Sequence, residues 1–228
     1  MFPFAASKEN PWNSNTSSSY PSLESHKLTM SVEGELKKNA IFKIVARYGI
    51  LLSMNFIPLE IAGAFGIIEP TISDFRGSFM RTWDVNTQPG VFEINQSSLT
   101  HNPKAGTLRG MHYQVEPYME NKVAVCVSGK VFDVILDLRE DSITFGMNSS
   151  FEIGPNSTYL GLFVPAGCAH GYLTLENNST VLYFMDKSYS EEHSSGVLWN
   201  DPKYSIDWPS TPVLMTERDE NWPTHHNV

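Results

Sequence analysis

Two cysteines among 228 residues are too few for a disulfide framework, which excludes a small secreted scaffold held together by bridges. Cys126 and Cys168 each sit in an apolar, strand-like run, the setting of a buried reduced thiol, and this predicts a reducing, cytoplasmic compartment. Long apolar runs are missing too. The longest uncharged, mostly apolar stretch, Tyr159 to Ala169, falls well short of the roughly 20 residues a membrane-spanning helix needs, so no membrane partner is expected. Positive charge is scarce: 16 Lys and Arg stand against 25 Asp and Glu, a formal charge of −9. A protein that grips a nucleic-acid backbone carries a basic excess to neutralise phosphates, so no nucleic-acid partner is expected. A few local Arg or Lys can still hold a single nucleotide.

What is present is ordinary globular composition, 41% apolar and 18% charged, in a chain long enough for one well-buried core. The first stretch, to about Lys38, is rich in Ser, Asn and Pro and shows neither alternation nor helical period, so it reads as disordered. Asn39 to Met54, NAIFKIVARYGILLSM, has the pattern of an amphipathic helix but lacks the layout of a secretory signal. We therefore divide the chain into an N-terminal extension, 1–53, largely disordered or accessory, and a folded domain, 54–228. A targeting segment and an upstream start are the alternatives for the extension.

Beyond Met54 the texture changes to short β-branched and aromatic runs, KVAVCVSG, KVFDVILDL, STYLGLFVP and STVLYFM among them, separated by Gly, Pro, Asn and Asp. This is an all-β rhythm, and the close spacing predicts a sandwich or small barrel with few short helices, near Ser190 to His193 and Thr216 to Glu220. In KVFDVILDL, Phe132, Val134, Leu136 and Leu138 share one face at period two while Asp133 and Asp137 interrupt the other, as for a strand with one dry and one wetter surface.

The segment VPAGCAHGY holds Pro165, Gly167 and His170 at the spacing of the second signature of cupin barrels, in which a sharp turn aims the His into the barrel mouth. Metal-binding cupins need three or four converging ligands, but the upstream region TLRGMHYQ offers only His112, so no metal is expected. TLRGMHYQ, ENKVAVCVSGKVFDVILDLR, FVPAGCAHGY, VLYFMDKSYS, GVLWNDP and MTERDENWP, occurring in order, closely resemble the dTDP-4-dehydrorhamnose 3,5-epimerase family from about Met54 to Pro223.

The resemblance implies a cupin double-stranded β-helix (a jelly-roll barrel), normally a homodimer, acting without cofactor on a nucleotide-linked 4-keto-6-deoxy sugar. Hydrogens beside a ketone are weakly acidic because their loss gives an enolate, so inversion needs a base on one face and an acid on the other. By the resemblance His112 is the base, Asp219 orients it and supports its charge, Tyr183 is the proton donor, and Lys122 steadies the enolate oxygen. Asp133 is expected to hold Lys122. Arg76, Asn95 and Arg109 match positions that hold the diphosphate or base, His170 lines the same cleft, and Glu93 and Arg218 complete the substrate-binding candidates.

Taken singly, each has a structural reading: His112 as a hydrogen-bonded structural histidine, Tyr183 as core, Asp219 as a cap, Lys122 as a solvated charge, His170 as a turn residue. Tyr189, Trp199 and Trp208 read as packing or cleft wall, and His225 and His226 as a solvated tail. The chain departs from the family pattern at Phe75, Ser78, Glu93, Val125 and Ser194. A carboxylate at 93 cannot donate the hydrogen bonds of the usual amide. Inversion of a single carbon, at 3 or 5, and a cupin that binds a nucleotide sugar without turnover are the alternative functions. A metal-dependent cupin is a third.

Overall fold

The computed structural model describes residues 54–69, 72–90 and 92–224. The 1–53 extension, the helix expected over Asn39–Met54 but for its last residue, and His225 and His226 lie outside the described residues. The all-β expectation holds. The strands are β1 (Asn55–Pro58), β2 (Phe65–Ile68), β3 (Ile72–Asp74), β4 (Gly77–Phe79), β5 (Gln96–Asn102), β6 (Leu108–Gln114), β7 (Lys122–Ser128), β8 (Val131–Asp137), β9 (Asn148–Ile153), β10 (Gly161–Val164), β11 (Cys168–Thr174), β12 (Ser179–Met185) and β13 (Ser194–Gly196). One 3-10 turn, Glu191–His193, and one helical turn, α1 (Glu217–Glu220), fall inside the two segments where helix was expected.

Two antiparallel sheets face each other, one in the order β1-β2-β10-β7-β12-β5 and the other β13-β6-β11-β8-β9, and β3 and β4 form a separate hairpin. This is the jelly-roll barrel of the cupins. Alternation explains the core: Ala124, Cys126, Leu162, Val164 and Val181 project from the first sheet to meet Val131, Ile135, Ile153, Cys168 and Tyr172 of the second. Each fully buried aliphatic side chain contributes about 1.5–3 kcal/mol.

The outer faces are covered as well. Trp83 and Phe92 lie on the first sheet beside Val123, Val125 and Phe163, and the stretch from Val197 to Trp208 covers Met111, Val134 and Leu136 of the second. β8 is therefore dry on both sides, contrary to the wetter face expected from its aspartates. Asp133 and Asp137 are both 0% exposed. Burial is tolerated because their oxygens are engaged: Asp137 accepts from Arg139 Nε at 2.8 Å, Ser142 Oγ at 2.6 Å and Thr144 Oγ1 at 2.6 Å. Trp199 and Trp208 pack near Phe132 outside the barrel rather than forming a cleft wall. Both cysteines are free and buried, and desolvation pushes each thiol up to about 12. No helix among the described residues is long and apolar enough to cross a membrane.

Candidate active site

The two sheets part at one end of the barrel around a cleft of about 380 Å³. On β5, period two sends Gln96, Ser98 and Thr100 toward this cleft and leaves Ser97, Leu99 and His101 more outward. β6 needs more than alternation, because Arg109 and His112 are an odd number of residues apart and both line the cleft. The register supplies the reason: His112 pairs with His170 but Arg109 pairs with Tyr172, so three steps on β6 match two on β11. One extra residue in β6, a bulge, turns both side chains to the same side. Glycine makes the bulge possible: Gly110 has φ +137°, and a Cβ on it would lie 2.4 Å from the Gly171 Cα.

His112 and His170 thus rise side by side from the five-stranded sheet, while Lys122 and Tyr183 come from β7 and β12 of the six-stranded sheet. His112 Nε2 is 2.6 Å from Asp219 Oδ1. Asp219 is carried by α1, whose N-cap Thr216 accepts from the Asp219 backbone N–H at 3.2 Å. Trp222 Nε1 donates to the same Asp219 oxygen at 3.3 Å. Burial works to raise the Asp219 carboxyl, but the interaction with His112, together with the hydrogen bonds from Trp222 and between Thr216 and Asp219, outweighs it and leaves the pKa below the ordinary carboxylate value.

A second His–Asp pair lies deeper. His170 Nε2 is 2.8 and 2.9 Å from the two oxygens of Asp133, and the side chains are 4% and 0% exposed. Asp133 is a diagonal neighbour of His170 across β8 and β11, which is why it serves the histidine and not Lys122 as the sequence suggested. Burial holds the Asp133 carboxyl above its ordinary value, with His170 and the more distant charge of Lys122 pulling the other way. Tyr183 faces His170 with ring centroids 6.2 Å apart. Desolvation, reinforced by Tyr172 and Asp133, lifts the Tyr183 phenol well above its ordinary pKa, so it stays protonated and able to donate.

Lys122 pairs with Glu120, Nζ to Oε1 3.1 Å, a residue the sequence reading did not single out. Gln114, Tyr172 and Lys187 also line the cleft unforeseen. Period two held a usable signal for three of the four, since Gln114 is two residues past His112, Tyr172 two past His170 and Glu120 two before Lys122. Arg109 Nε donates to Asn102 Oδ1 at 2.9 Å, and Asn102 Nδ2 reaches the Tyr172 hydroxyl at 3.2 Å. At the rim, Arg218 stacks over Trp222 at 4.6 Å and donates to Ser194 Oγ at 3.0 Å.

The structure therefore gathers His112, Lys122, Tyr183, Arg109, His170 and Arg218 around one cleft, with Asp219 directly behind His112. It does not bring Arg76, Glu93 or Asn95 there. Glu93 and Asn95 are exposed, and Asn95 meets β12 through its backbone, N to Met185 O 2.8 Å. Arg76 sits on the β3–β4 hairpin, its side chain 76% exposed and forked onto Asp74. Among the described residues no group of three or more His, Cys, Asp or Glu is arranged to hold a metal ion.

Comparison with known proteins gives consistent matches. The family model for dTDP-4-dehydrorhamnose 3,5-epimerase matches residues 58–227. The dTDP-4-dehydrorhamnose 3,5-epimerase of Shigella flexneri is 35% identical over 176 residues, 74% of this chain and 94% of the relative. The crystal structure of the Bacillus anthracis enzyme of that name, with TDP and PPi bound, is 32% identical with a TM-score of 0.71, over 75% of this chain and 99% of that one. ChmJ, a 3'-monoepimerase from Streptomyces bikiniensis in complex with dTDP-quinovose, is 29% identical with a TM-score of 0.65, over 73% of this chain and 86% of its own.

Proposed function

Since the chain belongs to the dTDP-4-dehydrorhamnose 3,5-epimerase family, we propose that its cleft is the active site of that isomerase and that His112, Lys122, Tyr183 and Asp219 carry the reaction. The enzyme inverts carbons 3 and 5 of dTDP-4-dehydro-6-deoxy-D-glucose to give dTDP-4-dehydro-L-rhamnose. The neutral His112 imidazole takes a proton from a carbon flanking the C4 ketone, and the C–H electron pair moves into an enolate whose oxygen faces Lys122. Tyr183 then gives its phenolic proton to the same carbon from the other side. Solvent returns a proton to the phenolate and removes one from the imidazolium. The steps are proton transfers, and they call for no redox or metal cofactor.

One observation carries this reading: base and acid stand on opposite sheets, so a sugar ring in the cleft lies between them. Arg109 and Arg218 offer forked cations for the diphosphate, which a chain of net charge −9 must concentrate locally. His170, held by Asp133, is assigned to the wall against the sugar.

Arg76 is assigned to the diphosphate of a partner's cleft in a homodimer. The support is its hairpin, where Phe75 is 97%, Phe79 62% and Ile72 55% exposed, a surface that suits burial against a second copy. Glu93 and Asn95, exposed just before β5, are assigned to the same shared end. Residues 54–228 form the catalytic domain and 1–53 an accessory extension. The free, buried thiols suit a cytoplasmic setting.

A single-carbon reaction is the second reading, favoured by the likeness to a 3'-monoepimerase. NMR of the keto-sugar nucleotide in deuterated water decides: label at both carbons supports the 3,5-epimerase, label at one the alternative. Binding without label would leave only a non-catalytic cupin. His112→Ala should abolish exchange at both positions, and a near-wild-type rate in that variant would overturn the assignment of the base.

A further inference from the structure

We infer that Glu120 is a positioning residue, which with Gln114 clamps the Lys122 ammonium at the point in the cleft where the ketone oxygen becomes an enolate. The inference rests on the role proposed above for Lys122. A lysine side chain is long and rich in rotamers, and an ammonium free to wander is a poor partner for a charge that appears at one place. Here it is tethered. Glu120 Oε1 is 3.1 Å from Lys122 Nζ, with side chains 7% and 13% exposed. The other oxygen, Oε2, accepts from Gln114 Nε2 at 2.7 Å.

Gln114 cannot turn to release it, because its amide also donates to the Tyr118 carbonyl at 3.0 Å and accepts from the Ser190 backbone N–H at 2.7 Å. Two stretches of chain, one before β7 and one after β12, therefore hold the carboxylate from outside the cleft. Asp133, the other buried acid near Lys122, is occupied by His170. Glu120 is thus the carboxylate in contact with the ammonium. Gln114 shares β6 with His112, two residues along and on the same side, so base and ammonium are referenced to one strand.

Removing one partner of a buried ion pair strands the other and destabilises the fold, so a merely structural role would show in melting temperature and not specifically in turnover. The test measures kcat and KM for the keto-sugar nucleotide, with thermal melting alongside, in Glu120→Ala, Glu120→Gln, Glu120→Asp, Lys122→Ala and Glu120→Ala/Lys122→Ala. Misplacing a reacting group by about 1 Å costs on the order of 100-fold, so Glu120→Ala should lower kcat roughly 10- to 100-fold with KM little changed. Gln keeps the length but offers one acceptor oxygen to two donors, Lys122 Nζ and Gln114 Nε2, and should recover only part of kcat. Asp withdraws the carboxylate by one C–C bond, about 1.5 Å, and should recover none. In the Lys122→Ala background, Glu120→Ala should have no further effect.

Equal loss from Glu120→Ala in both backgrounds, or Gln no better than Ala, would overturn the inference. Full activity in Glu120→Ala with Lys122→Ala impaired would sink it alone. Full activity in Lys122→Ala would remove the role of Lys122 and this inference with it. If the Ala variant does not fold, the Gln and Asp variants decide by their order.

Discussion

Replacing Asp219 with Asn removes one charge from behind His112, the proposed base, and changes almost nothing else in size. The carboxylate is 2.6 Å from His112 Nε2, with side chains 5% and 39% exposed. Two unit charges about 4 Å apart at an effective dielectric near 20 attract by about 4 kcal/mol. Because more than a third of the imidazole is open to water, screening reduces this to about 2–3 kcal/mol. If His112 is the base, as proposed, its charge develops as the proton leaves carbon, so the loss falls on the transition state and not on substrate binding. At about 1.4 kcal/mol per tenfold, kcat should fall roughly 30- to 150-fold with KM little changed. An amide can also present an N–H to Nε2 and fix the wrong tautomer, which pushes the loss toward the upper figure. Deuterium wash-in at carbons 3 and 5, followed by NMR, reads the step directly. An Asp219→Asn enzyme that exchanges within threefold of wild type would refute the electrostatic argument.

Tyr183→Phe leaves the base intact, so it should still exchange solvent deuterium beside the ketone while net inversion, followed by NMR of the product, drops by roughly 100-fold or more; unimpaired inversion would exclude the phenol as donor. Asp137→Asn should cost about 3–5 kcal/mol of stability by leaving the Arg139 guanidinium without its buried partner. Burial opposes the Asp137 charge, but bonds from Arg139, Ser142 and Thr144 outweigh it and hold the carboxyl well below its ordinary value. A depressed folded pKa gives stability that is complete above the unfolded value, about 3.9, and is lost as pH falls through the folded one. Melting curves of wild type and Asp137→Asn should therefore converge on acidification below pH about 3.9, and a gap that stays constant would contradict the assignment. Phe75→Asp with Phe79→Asp should shift a dimer to monomer in size-exclusion chromatography with light scattering; an unchanged dimer would place the interface elsewhere.

The strands were legible because period-two alternation is a local property, readable in KVFDVILDL or STVLYFM without knowing their neighbours, whereas the jelly roll was legible only through the ordered motifs that resemble the family. What depends on which strand lies beside which was not legible. Asp133 looked available to Lys122, yet the β8–β11 register sets it diagonal to His170. Arg109 and His112, an odd number of residues apart, share a face only through the bulge at Gly110, which shows in the mismatch with β11 and not in β6 alone. The wetter face assigned to β8 failed for a related reason: alternation of charge marks a distinct face, but only tertiary packing decides whether that face meets water or a set of buried hydrogen-bond donors. Glu120 was passed over because a lone carboxylate near a turn has the ordinary reading of a solvated charge.

The pairing of His112 with Asp219 spans 107 residues, and its geometry depends on a residue with no side chain. β13 pairs with β6 so that Gly196 is the direct partner of His112. The indole of Trp222 lies against this bare position: a Cβ on Gly196 would fall 2.4 Å from the ring. With the ring seated there, 6.0 Å from the imidazole, its N–H reaches Asp219 Oδ1, and the Leu198 backbone N–H donates to the Pro223 carbonyl at 3.1 Å just beyond it. Any side chain at 196 would lift the indole off β13 and remove the Trp222 donor from the carboxylate. The His112–Asp219 pair behind the proposed chemistry therefore depends on the absence of a Cβ one strand away, a requirement that acts through Trp222.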